Sequence, residues 1–217
     1  MRVGDFLRSD RFDTESVHDL SGAVFAFALT LLILDLVVPE IPRGSSETAL
    51  VSALVNLWPH ILTYVISFGL IGSYWVVHRR IFTFIKRADR TFLWMNLLFL
   101  MCIAFMPFAT KLMGAYPRYH VALLTYAGTA MATLLVHYAE WGYATGRGRL
   151  VDPDLNPQLI LHIAGRLRLG IFVCLLCIGV SFFDPLVSLF FFIVMPVLTM
   201  VPARLDVPAQ APGGQET

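Results

Sequence analysis

The chain has 217 residues, of which 57% are hydrophobic and only 14% charged, with a formal net charge of +1. That charge fraction is far below the quarter usual in a soluble domain, and the mean hydropathy of +0.71 excludes an ordinary soluble enzyme. The charges are segregated by loop, so the small net value says nothing about partners, and no nucleic-acid-binding pattern is present.

Met1–Asp19 is polar and mixed in charge, and no cleavable signal peptide is expected, because the apolar run that follows is too long for one. That run, Leu20–Val38, contains a single ionisable residue, Asp35. At about 1.5 Å per residue it reaches across a bilayer core of roughly 30 Å. Its bulky residues Leu20, Val24, Phe27, Leu31, Leu34 and Val38 step by four and three, which places them on one helix face. Gly22, Ala26 and Thr30 form a small stripe that lets another helix approach closely. Two readings stand for the bulky stripe: a buried packing seam, or the lining of a pore that it closes.

Pro39 and Pro42 end this span, and a second apolar segment runs from about Leu50 to Val77, with Trp58 and Tyr74–Trp75 near its ends as an aromatic belt. A basic connection, HRRIFTFIKRADR, leads to a third span, Thr91–Met113, which contains Pro107. The fourth span is Tyr119–Tyr143, and the Gly-, Arg-, Asp- and Pro-rich stretch Thr145–Pro157 is a loop. Leu169–Phe183, extended as helix back toward Pro157, and Leu186–Val201 complete six spans. The expected division is a cytoplasmic segment over 1–15, a six-helix membrane domain over 16–202 and a disordered tail over 203–217. The fold class is therefore all-α and polytopic.

Six spans place both termini on one side. Thirteen arginines and lysines then fall on that side, and only Arg43, Lys111 and Arg118 on the other, so both ends are expected in the cytoplasm of a cell with this protein in its plasma membrane. No hydrolase, kinase or zinc motif is present. Cys102, Cys174 and Cys177 sit in apolar runs and read as buried thiols. All six histidines, and the acids Asp35 and Glu140, lie near predicted helix ends and read as interfacial or hydrogen-bonded groups. The span centres hold no charged residue, which argues against a transporter with a charged midplane site and suits a pore gated by dewetting at an apolar constriction.

VFAFALTLLILDL followed by Val38-Pro39, GSYWVVH at Gly72–His78, RRIFTFIKRADRTFLWMNLLFL and AFMPFATKLMGAY stand in an order and spacing that resemble the transmembrane protein 175 family of potassium channels. The resemblance is good over about Ser16–Tyr116 and rests on span count elsewhere. It implies a homotetramer in the lipid bilayer, with the first helices around a central pore, potassium as the permeant ion, no cofactor, no enzyme activity and no re-entrant TVGYG filter. It also implies a constriction at Phe27, with Leu31 and Leu34 as further rings, and a selectivity role for Thr30. The family's first-helix motif, an arginine and, after three residues, Phe-Ser-Asp, is altered here to Ser16 and Leu20-Ser21-Gly22. Only Ser21 is kept. Asp19, beside His18, stands one turn earlier on the same face and is expected to replace the missing carboxylate in a hydrogen-bonded network with Trp75 and His78; the alternative is that the network is lost and Asp19 only favours the helix N-terminus through the dipole. The expected function is a leak-like potassium-permeable channel with a hydrophobic gate. The alternatives are a non-conducting membrane scaffold or, further off, a small-solute transporter.

Overall fold

The computed structural model describes residues 14–146, 150–183, 187–188, 191–193 and 196. Residues 1–13 of the expected N-terminal segment over 1–15, the tail and ten of the sixteen residues of the expected sixth span lie outside them. Among the described residues the regular elements are helices, apart from an isolated antiparallel bridge between Ile85 and Val151: α1 (Thr14–Leu31), continued by a 3-10 turn at Leu32–Asp35, then α2 (Glu47–Asn56), α3 (Trp58–Phe84), α4 (Arg90–Ala115), α5 (His120–Thr145) and α6 (Pro157–Ser181). Five of these, α1 with its 3-10 turn and α3 to α6, are long and apolar enough to cross a membrane.

Helix boundaries follow local chemistry. Asp89 caps α4 by accepting from the Phe92 amide at 2.9 Å, and Asn156 caps α6 by accepting from the Gln158 amide at 2.9 Å. Ser46 caps α2 through the Ala49 amide. The second apolar segment is two helices, not one: α2 ends at Asn56 and α3 starts at Trp58. Pro59 is the cause, since it has no amide to bond back into α2 and sits comfortably in the first turn of α3. The first span also stops being helical earlier than its prolines suggest. Leu36 leaves the helix with φ −85° and ψ 79°, an inverse γ-turn closed by the Val37 amide on the Asp35 carbonyl at 3.1 Å, and Val38, before Pro39, is in turn disfavoured in helical backbone. Pro107, half-buried, stays inside α4, a position proline is tolerated in within membrane helices.

α1, α3 and α4 pack on one another; α4 packs on α5, and α5 on α6. The face α1 turns inward is Val17, Ser21, Phe25, Ala28, Leu32 and Asp35, repeating every three or four residues. Phe25 is 1% exposed and meets the rings of His78 and Phe99 at 5.6 and 5.9 Å. Mid-bundle, Thr110 Oγ1 donates to Ser67 Oγ at 2.8 Å, and Ser67 shares a 3.0 Å hydrogen bond with the Tyr126 hydroxyl. Three helices are thereby tied at a depth where no water competes. At the end of the bundle where α1 begins, the α3–α4 and α5–α6 connections are joined: the Lys86 amide donates to the Leu150 carbonyl at 2.8 Å, and the Tyr143 hydroxyl donates to Asp89 at 2.7 Å.

Candidate pore helix and its polar anchors

α1 has two chemically distinct faces, and the rest of the bundle holds only one of them. On the outward face Phe27 is 69% exposed, Leu34 66% and Leu31 37%. Leu20 and Val38 are exposed beside them, so five of the six stripe residues point away from their own subunit, while Val24 is half-buried and packs against the core. The 3-10 turn does not disturb this alignment: with three residues per turn, Leu34 falls directly over Leu31. Thr30 lies on the same exposed side, its hydroxyl donating to the Phe27 carbonyl at 2.9 Å, so its oxygen keeps its acceptor capacity. The small stripe borders an open groove between α1 and α3, lined by His18, Asp19, Gly22, Ala26, Trp75 and Arg79. A Cβ at Gly22 meets nothing within 4 Å.

The polar residues expected to form one network are distributed differently within the chain. Ser21 is buried; its hydroxyl donates to the Val17 carbonyl at 2.8 Å and accepts from Asn96 Nδ2 at 3.1 Å. His78 is also buried, packed against Phe82 and Phe99 rather than bonded to Asp19. Asp19 is exposed and makes no hydrogen bond among the described residues; His18 lies against the Phe82 ring at 5.6 Å. Trp75 lies in the groove with the Arg79 guanidinium 5.4 Å above its ring, a cation–π pair. The reason is rotational: Asp19 sits about 160° around the helix from Val17, which points inward, so its carboxylate cannot reach the core that His78 occupies.

Sequence reasoning missed Asn96. Its signal was visible as a lone amide in the run TFLWMNLLFL, since an amide in a membrane span needs a partner. It also left Asp35 and His60 as separate interfacial groups. They meet: His60 Nδ1 lies 3.2 Å from Asp35 Oδ2, clamping the end of α1 to the start of α3. Gly114 of α4 makes room for this clamp. A Cβ there falls 2.9 Å from His60 Nδ1, 3.0 Å from Asp35 Oδ2 and 3.0 Å from Thr63 Oγ1. His137 and Glu140, also read as interfacial, are fully buried inside α5.

A membrane bundle whose first helix is anchored by one face and offers an apolar face outward suits a subunit of a membrane assembly as well as a helix that faces lipid. Residues 17–107 match the profile of the family described as endosomal/lysosomal potassium channel TMEM175. A potassium channel of Streptomyces collinus (strain DSM 40733 / Tue 365) is 35% identical over 170 residues, covering 76% of this chain and 81% of that protein. A potassium channel of Chamaesiphon minutus (strain ATCC 27169 / PCC 6605) is 34% identical over 176 residues, 80% of this chain and 86% of that one. The crystal structure of a lysosomal potassium-selective channel TMEM175 homologue from Chamaesiphon minutus superposes with a TM-score of 0.75 at 32% identity, covering 86% of this chain and 95% of that chain. The chain belongs to the TMEM175 family: a multi-pass, all-helical membrane protein of a family of ion channels, not of enzymes.

Proposed function

We propose that this chain is one subunit of a homotetrameric, potassium-permeable leak channel whose pore is lined by α1 of four copies. The observation that carries this reading is the division of α1 into an anchored face and a free apolar face bordered by small residues. Exposure alone is weak support in a membrane protein, because lipid solvates Leu and Phe as well as protein does. The additional support is the combination of an exposed bulky stripe, a threonine within it and an open groove at Gly22 and Ala26 that would seat a neighbouring helix.

In such an assembly Phe27, Leu31 and Leu34 form stacked apolar rings, with Phe27 the narrowest because its side chain is the largest of the three. An ion in that stretch sheds water and receives no replacement ligand, so a small radius closes the pore without a plug. Thr30, between the first two rings, offers hydroxyl oxygens to a partly dehydrated cation. Asp19 and His18 line the subunit groove with Trp75 and Arg79, so a role for Asp19 in place of the absent motif carboxylate belongs to contacts between copies. The sixth span, both termini in the cytoplasm and residence in the plasma membrane complete the proposal, on the thirteen-to-three basic bias.

The test is potassium flux into liposomes containing the purified protein. Phe27→Ala is expected to raise flux and weaken discrimination against sodium. Unchanged flux from an intact Phe27→Ala tetramer rejects Phe27 as the gate. No ion flux from wild-type tetramer favours a scaffold, and saturable uptake of one solute favours a transporter.

A further inference from the structure

Behind the anchored face of α1, on the side away from its free stripe, three ligating side chains converge in the core. His78 comes from α3; His137 and Glu140 come from α5, three residues apart and therefore on one helix face. One ligand atom from each residue lies within 4.8 Å of the other two. All three residues are almost wholly buried, at 1%, 0% and 0% exposure. Both ring nitrogens of each histidine and both carboxylate oxygens of Glu140 lack a hydrogen-bond partner among the described residues. Buried polar atoms are normally paired; six here are not, and three of them, one from each residue, converge where a common ligand would satisfy them. The imidazole rings are also held in place: His78 stacks on Phe99 at 4.9 Å with 13° between planes, and His137 lies 4.4 Å from the same ring.

We propose that His78, His137 and Glu140 bind a divalent transition-metal ion of the zinc type. Two neutral imidazoles and one carboxylate are a donor set that suits this class and not the hard, all-oxygen preference of magnesium or calcium. Tetrahedral bonds of about 2.1 Å bring donor atoms to roughly 3.4 Å from one another, a contraction that small side-chain rotations can supply from the observed spacing. The three protein ligands leave a fourth position for water. The carboxylate supplies one negative charge against the ion's two, and the surrounding Phe25, Phe82 and Phe99 rings exclude competing solvent. Bound there, the ion cross-links α3 to α5 directly behind Phe25, so it stiffens the surface on which α1 rests.

The probe is Co(II), added to purified, chelator-treated full-length protein in detergent and followed by its visible absorption, which is intense for four-coordinate cobalt and weak for six-coordinate. The wild type is expected to take up about one equivalent per chain with an intense band and a raised unfolding temperature. Glu140→Gln and His137→Gln are expected to lose the band, while His60→Gln, remote from the cluster, keeps it. Wild-type protein with no intense cobalt band overturns the proposal, whether the cluster then holds ordered water or a shared proton. So does an unchanged band in both cluster variants, or its loss in His60→Gln. Because the wild-type spectrum decides the first of these, a cluster variant that fails to fold does not shield the proposal.

Discussion

Gly114 shows how little room single residues have in this bundle. A methyl group there would lie within about 3 Å of three polar atoms, one of them from each partner of the Asp35–His60 clamp. Gly114→Ala must therefore push His60 off Asp35 or move α4, and overpacking of this kind costs about 1–3 kcal/mol. Thermal unfolding in detergent should show the loss, and an unchanged midpoint would show that the clamp relaxes freely. Asn96 is the complementary case. Asn96→Leu removes the donor to Ser21 but leaves the Ser21 hydroxyl bonded to Val17, so the expected cost is modest, about 1 kcal/mol. A much larger loss in the same measurement would mean that the amide holds more than Ser21.

For α1 as an element, the two phenylalanines separate anchoring from the proposed gating. Phe25 and Phe27 lie about 160° apart on the same helix, one buried against His78 and Phe99, the other exposed. Phe25→Ala opens a cavity in the subunit core and should cost on the order of 3 kcal/mol, lowering the yield of folded protein. Phe27→Ala should leave stability unchanged within about 0.5 kcal/mol, as for a surface position, and act on flux alone. Size-exclusion profiles of the two variants, measured beside liposome flux, distinguish these outcomes; equal stability losses would mean that both faces of α1 pack within one subunit.

For the whole molecule, the decisive position is Gly22. Within one chain a Cβ there meets nothing within 4 Å and the groove beside it is open, so Gly22→Leu is expected to be tolerated by the subunit fold. If neighbouring first helices pack into the adjoining groove, the same substitution blocks close approach and the assembly falls apart. Native mass spectrometry should therefore report tetramers for wild type and smaller species for Gly22→Leu, with similar helicity by circular dichroism. Tetramers of undiminished stability in Gly22→Leu would place the subunit contacts elsewhere.

The all-helical class and most of the spans were legible in the residue order, because long apolar runs, basic connections and prolines are one-dimensional signals. The bulky period on α1 was legible for the same reason. Period alone could not say which face of α1 turns inward, since in lipid both a packed seam and a free stripe are apolar. That choice depends on partners far along the chain: Phe99 and His78 receive Phe25, and Asn96 receives Ser21. The break between α2 and α3 was written in Pro59, but hidden by an apolar run that continues through it. Polar groups were the hardest to place. Asp35, His60, His137 and Glu140 stand close to helix ends in the sequence, yet burial follows from what covers a side chain and not from its distance to a helix end. α4 covers the first pair at Gly114, and α3 and α5 close over the second, because helices separated by dozens of residues meet there at side-chain distance.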